Sequence, residues 1–222
     1  MKHFFLFVTL LFVLICLFSC SENRKQKSAE PPRTDTIVPD VSTQNDTIVD
    51  ADFTFGEAVA GTKAPQKIID ELALFDVLYL STDGKIHKGQ ILSNKKIAKD
   101  VQDVFHMMLD SGFVVEKVVP VVRYEWNDSL SMADNNTYSF CYRNVAYSRH
   151  ARGMAIDINP RFNPVRYKRL KKPNEPAGAV LDTTVNGTFY PGHFIVEEFR
   201  KRGFRWGHTF SKYYDDHHFE KR

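Results

Sequence analysis

The segment NKKIAKDVQDVFHMMLDSG (94–112) constrains the fold most strongly. Ile97, Val101, Val104, Phe105, Met108 and Leu109 recur at the three- and four-residue intervals of an α-helix, and Gly112 follows as a stop. Such a helix is stable only against a second apolar surface, because burying its stripe outweighs its own marginal propensity. The residues before it supply one. DVLYLSTDGKIHKGQILSN (76–94) alternates with period two around Thr82-Asp83-Gly84-Lys85, the pattern of a β-hairpin. A hairpin feeding directly into a helix points to a mixed fold.

Further along, VVEKVVPVV (114–122) reads as a strand with Pro120 near its end, and HFIVEEFRKRG (193–203) as a second helix with Gly203 past its C-terminus. FRWG (204–207) and the closing HHFEKR read as short strands. Strands and helices alternate irregularly, so the predicted class is α+β, with a small antiparallel sheet flanked by helices. The 222 residues allow one sizeable domain with tails, and 43% hydrophobic and 26% charged residues are ordinary for a globular protein. A formal net charge of +3 gives no reason to expect a nucleic-acid partner.

The N-terminus predicts export. FFLFVTLLFVLICLF (4–18) is a fifteen-residue apolar run, short of the roughly 20 residues that span a bilayer. It fits the core of a signal peptide covering 1–19. Leu17-Phe18-Ser19-Cys20 resembles a bacterial lipobox, which implies lipidation of Cys20 and anchoring to a membrane of the cell envelope, facing the periplasm of a Gram-negative bacterium. Cys16 would leave with the signal, and Cys141 alone cannot form an internal disulfide with a lipidated partner, so it is expected to be a packed residue. Residues 20–52 read as a tether: rich in Ser, Thr, Asp and Pro up to Asp52, without an aromatic residue or an amphipathic period. Its DTIV repeat, at 35–38 and 46–49, resembles a short bacterial O-glycosylation acceptor. The folded domain is then expected over 53–222.

Groups able to hold a metal or move protons concentrate in three places: YSFCYRN (138–144) with Arg143, SRHARGMAID (148–157) with His150 and Asp157, and YYDDHHFE (213–220) with Asp215, Asp216, His217, His218 and Glu220. Spacing alone leaves these segments open to a blander reading, as core or solvated polar residues, and the cysteines do not fit a structural zinc site. In a straight strand, Asp215 and His218 would face opposite ways, whereas Asp216 with His218, or Asp215 with His217, would share a face.

The order of the motifs resembles the zinc peptidase family of D-Ala-D-Ala carboxypeptidases and L-alanyl-D-glutamate endopeptidases. Ser148, His150, Gly153, Ala155 and Asp157 fill its Ser-x-His-x-x-Gly-x-Ala-x-Asp stretch. Trp206-Gly207 and then Asp215, His218, Phe219 and Glu220 fill its Trp-Gly and Asp-x-x-His-Phe-Glu elements. The resemblance, over about residues 75–222, implies a fold of the hedgehog/D,D-peptidase type. It implies a zinc ion held by His150, Asp157 and His218, with Asp215 as general base and Arg143 facing the developing oxyanion. Two imidazoles and one carboxylate with an open fourth position also suit a catalytic zinc, which lowers the pKa of a bound water to roughly 7. The implied substrate is a peptidoglycan stem peptide, with no obligate protein partner. Asp215 is then expected in a loop or bulge at the start of the last strand, so that it reaches the same site as His218.

Ser148 and His208 are candidate substrate contacts. His208-Thr209-Phe210 departs from the residues that follow Trp-Gly in many relatives, which affects the expected substrate wall. Residues 159–190, opened by Asn159-Pro160, read as a surface loop flanking the cleft. His87 and His106 show no partner in the sequence. A second reading is a non-catalytic peptidoglycan-binding lipoprotein that keeps the fold; the presence of Asp215 argues against it.

Overall fold

The computed structural model describes residues 47–145 and 147–222. The predicted signal peptide, Cys20 and the tether up to residue 46 lie outside them.

The domain begins earlier than expected. Strand β1 (Ile48–Val49), which the sequence reading gave to the tether, pairs in parallel with β3, and Ala51 behind it is buried. Two short helices follow, α1 (Phe55–Ala58) and α2 (Gln66–Ile69). A capping box between Thr54 and Glu57 starts the first. The predicted hairpin is present and longer: β2 (Leu72–Leu80) and β3 (Ile86–Asn94) pair antiparallel along their whole length.

Helix α3 (Lys95–Asp110) grows directly from the hairpin. Asn94 closes β3 and caps the helix, its side-chain oxygen accepting from the Lys96 amide at 3.0 Å. Ile97, Val101, Val104, Phe105 and Met108 are buried, while Leu109 lies at the edge of the stripe. Each fully buried side chain contributes about 1.5–3 kcal/mol of hydrophobic stabilisation.

The predicted strand over 114–122 shrinks to β4 (Lys117–Val118), which pairs in parallel with β5 (Asn136–Thr137). The reason lies in the backbone amides, which find partners outside a ladder. Glu116 donates to the Asn159 side chain and Val119 to that of Asn136, and Pro120 has no amide to offer. Between these strands lies α4 (Asp128–Ala133).

The C-terminal half carries a second sheet, in the order β6 (Ala155–Asp157), β10 (His218–Glu220), β8 (Arg205–Trp206), all antiparallel. Helix α5 (Phe194–Lys201) ends as expected at Gly203: the Gly203 amide donates to the Arg200 carbonyl and the Phe204 amide to that of Phe199. A ribbon of β7 (Val165–Tyr167) and β9 (Tyr213–Asp215) stands beside this sheet, so the expected long loop contains a strand.

The class is α+β, with five α-helices among the described residues. In place of one antiparallel sheet there are several small ones, two of them including a parallel pair. None of the described helices is long and apolar enough to cross a membrane. The main core collects Val77, Tyr79 and Ile91 of the hairpin with the α3 stripe, Ile195, Val196 and Phe199 of α5, and Ile156, Phe219 and Trp206 of the second sheet. Those last three form one cross-strand row. Alternation therefore turns their neighbours Asp157 and His218 to the opposite face.

Candidate metal centre

The His150 turn is pinned from behind. Residues His150–Arg152 form one 3-10 turn, and Gly153 closes it at φ 64°. A Cβ on Gly153 would stand 2.6 Å from the Asn94 amide nitrogen and 2.9 Å from Leu72, so both the left-handed backbone and the close approach exclude a side chain. The Asn94 amide donates to the Gly153 carbonyl at 2.9 Å, and its side chain donates to Arg152 O at 3.2 Å. The hairpin end thus sets the position of His150. Ser148 accepts from the Ala151 amide at 3.4 Å, capping the same turn, and faces the cleft.

Asp157 ends β6 and His218 begins β10, and the two residues are direct cross-strand partners. With His150 they bring three ligand atoms together: His150 Nε2 to Asp157 Oδ1 is 3.1 Å, His150 Nε2 to His218 Nδ1 is 3.0 Å, and His218 Nδ1 to Asp157 Oδ1 is 2.8 Å. A tetrahedral ion with bonds of about 2.0–2.1 Å sets its ligand atoms about 3.3 Å apart. All three residues are buried.

The outer nitrogens decide what this contact is. His150 Nδ1 donates to the Ser139 carbonyl at 2.6 Å, leaving a lone pair on Nε2. His218 Nε2 faces Glu220 Oε2 at 3.4 Å, leaving Nδ1 to point inward. Two ring nitrogens and a carboxylate oxygen then converge within hydrogen-bond distance, an arrangement that needs protons or a cation between them. Outer partners that fix the ring orientation are the usual companions of metal-bound histidines. The donor set therefore fits a divalent ion such as zinc.

Electrostatics point the same way. Burial would lower the His218 pKa, but hydrogen bonds to Asp157 and Glu220 outweigh it and raise it to about 10. Burial would raise the Asp157 carboxyl, yet the charges of His150 and His217 hold it well below the usual carboxylate range. The site attracts positive charge.

Asp215 lines the same cleft, but from an unexpected position. It ends β9, paired with Val165, and not in a loop or bulge of the last strand. The two-residue turn Asp216-His217 separates it from His218 and breaks the alternation that would have turned the two apart. The other pairings that a regular strand allows do not join the group of His150, Asp157 and His218. Asp216 is buried and turned to Arg166 Nε (2.7 Å) and His208 Nδ1 (2.6 Å). His217 donates through Nδ1 to the Asn163 carbonyl at 2.7 Å, with Nε2 at 2.9 Å from Asp215 Oδ1 and 3.8 Å from Asp157 Oδ2. Burial opposes its charge, but these two carboxylates raise its pKa to about 9. The His217–Asp215 contact is off the line of a hydrogen bond, so the buried Asp215 Oδ1 keeps its acceptor capacity.

Trp206-Gly207 holds this turn. Trp206 Nε1 donates to the Asp216 carbonyl at 2.8 Å, and a Cβ on Gly207 would stand 2.5 Å from the Asp215 carbonyl oxygen. His208 stacks on the Trp206 ring at 4.4 Å and bonds Asp216, and it is not among the residues lining the cleft.

Arg143 reaches the cleft with its Nη2 bound to Asp128 Oδ2 at 2.7 Å, and its Nε–H is buried without a partner. The cleft, about 440 Å³, is walled further by Tyr147, Tyr167, Phe210 and Tyr213. Cys141 is buried outside it, and burial raises its thiol to about 12, as a packed residue requires. Asp128 and Tyr138 carried no signal in the sequence, and His217 stood there only as an alternative partner for Asp215. Each gains its position through tertiary contacts that no local pattern encodes.

A 3-10 turn and two paired strands bring two histidines and an aspartate together at one cleft, a group that could hold a metal ion. Residues 143–221 match the sequence profile of a family described as D-alanyl-D-alanine carboxypeptidase, a little over a third of the 222 residues, and the span holds the three candidate ligands, Asp215 and Arg143. The match supports the zinc D-Ala-D-Ala peptidase family and a peptidase as the class of protein. No curated protein and no solved structure matches the chain.

Proposed function

We propose that the chain is a zinc-dependent peptidase that hydrolyses a bond in peptidoglycan stem peptides, either a terminal D-Ala-D-Ala bond or the L-Ala-D-Glu bond. The convergence of His150 Nε2, Asp157 Oδ1 and His218 Nδ1 beside Asp215 carries this reading. The match over 143–221 supports it, as does the order of the two histidine motifs along the chain.

In this account His150, Asp157 and His218 hold the ion, with Glu220 and the Ser139 carbonyl fixing the rings. A zinc ion bound there supplies an activated water at neutral pH and polarises the substrate carbonyl. Asp215 accepts a proton from the attacking water and returns it to the leaving amine. His217, fixed by Asn163, holds a positive charge beside Asp215 and keeps that carboxylate in place. Arg143, oriented by Asp128, opposes negative charge building on the carbonyl oxygen. Ser148 shapes the rim. Lipidation at Cys20 would tether the enzyme to an envelope membrane on the periplasmic side, within reach of its polymeric substrate.

The test is mass spectrometry of defined muropeptides incubated with the zinc-supplied full chain and with His150→Ala. A product made only by the native chain is expected, and its mass names the bond. Zinc binding without any product, across several stem types, would favour a non-catalytic peptidoglycan-binding lipoprotein instead.

A further inference from the structure

Tyr138 is 2% exposed, yet its hydroxyl has no hydrogen-bond partner. Buried hydroxyls are partnered as a rule, and packing alone would be served as well by phenylalanine. Its ring does pack, against Val121 and Cys141 on one side and at 5.1 Å from the His150 ring. The oxygen is what packing leaves unexplained.

Register shows where that oxygen is aimed. The Tyr138 amide donates to the Asp157 carbonyl at 3.1 Å and the Asp157 amide to that of Tyr138 at 2.9 Å, a bridge that places both side chains on one face. Asp157 is paired in turn with His218. Tyr138, Asp157 and His218 therefore form a single row, across a bridge and two paired strands, on the face that carries the candidate metal ligands. Tyr138 also lines the cleft. A second buried donor without a partner, Arg143 Nε, lines the same cleft. The two groups sense each other: burial pushes the Tyr138 hydroxyl well above the usual phenol range, Asp157 adds to this, and Arg143 opposes it. Two unpaired donors on one wall match one electron-rich oxygen.

We propose that Tyr138 touches the substrate, its hydroxyl joining Arg143 in donating to the carbonyl oxygen of the bond under attack. This deepens the peptidase reading and rests on it. The hydroxyl lacks a partner in the free protein because its partner is the reacting group, and it binds that group best when the oxygen is charged.

Tyr138→Phe removes one oxygen and keeps the ring. The full-length variant is expected to cut muropeptides with kcat lowered about a hundredfold and KM nearly unchanged, as for loss of one oxyanion donor. Its zinc content should match the native protein, and its Tm should not fall, since no hydrogen bond of the fold is lost. A phosphinate analogue of alanyl-alanine, whose charged oxygens imitate the tetrahedral centre, gives a readout independent of turnover. Its Kd should rise at least about tenfold. If the native chain cuts no muropeptide, the peptidase reading fails and phosphinate affinity alone decides the role of Tyr138. Equal affinity of the two proteins, absence of binding by both included, would overturn the proposal. So would an unchanged kcat, or a loss of activity explained by a lower Tm.

Discussion

Two histidine–carboxylate clusters stand in this domain, and they are built on opposite logic. In the first sheet, His87 Nδ1 meets Asp50 at 2.9 Å, its Nε2 meets Asp83 at 3.2 Å, and the Tyr79 hydroxyl donates to Asp50. Every inward donor there has an acceptor, and the cluster clamps the stretch after β1 onto the hairpin. At the second sheet, His150 and His218 direct their outer nitrogens to Ser139 and Glu220 and their inner nitrogens to Asp157. One cluster is complete as it stands; the other closes only around protons or a cation. The same residue types are structural where donors match acceptors and chemical where acceptors face one another.

Mutations can break this comparison, the largest effect coming first. His150→Ala removes one of the three converging atoms and should abolish both zinc binding and muropeptide cleavage, read by metal analysis and mass spectrometry. Asp215→Asn should leave zinc content intact while turnover falls by about 10²- to 10⁴-fold, the range for loss of a general base. Glu220→Gln weakens the outer contact of His218 and should lower zinc affinity by about tenfold, measured by competition with a chromophoric chelator. His87→Phe dismantles the other cluster. It should leave zinc affinity and turnover unchanged while lowering stability by about 1–3 kcal/mol in denaturant titration. An effect of His87→Phe on zinc would erase the distinction between the two clusters.

The comparison also shows what a sequence discloses. Helices α3 and α5 and the hairpin were legible because their apolar period and their stops are local. The candidate ligands were legible because His150 and Asp157 share one motif and His218 lies in another, in an order that resembles a known family. The clamp at His87 was not, because Asp50 lies 37 residues away in a stretch whose composition reads as tether. Strand β7 was missed for a like reason: three residues in a long loop become a strand only through pairing with β9. The stretch over 114–122 misled in the other direction, since its β-rich composition is served by asparagine side chains instead of a neighbouring strand. His208, read as a substrate contact, turned out to hold Asp216, and that in turn fixes which carboxylate of the Asp215-Asp216 pair faces the cleft.

The account rests on the claim that His150, Asp157 and His218 hold one metal ion together. Zinc stoichiometry of the full chain, measured after chelation and titration back with zinc, tests it most directly, with His150→Ala and His87→Phe alongside. The account predicts one tightly bound zinc per native chain, one per His87→Phe chain and none in His150→Ala. A native chain that binds no zinc, or a His150→Ala chain that binds it as tightly, would contradict it.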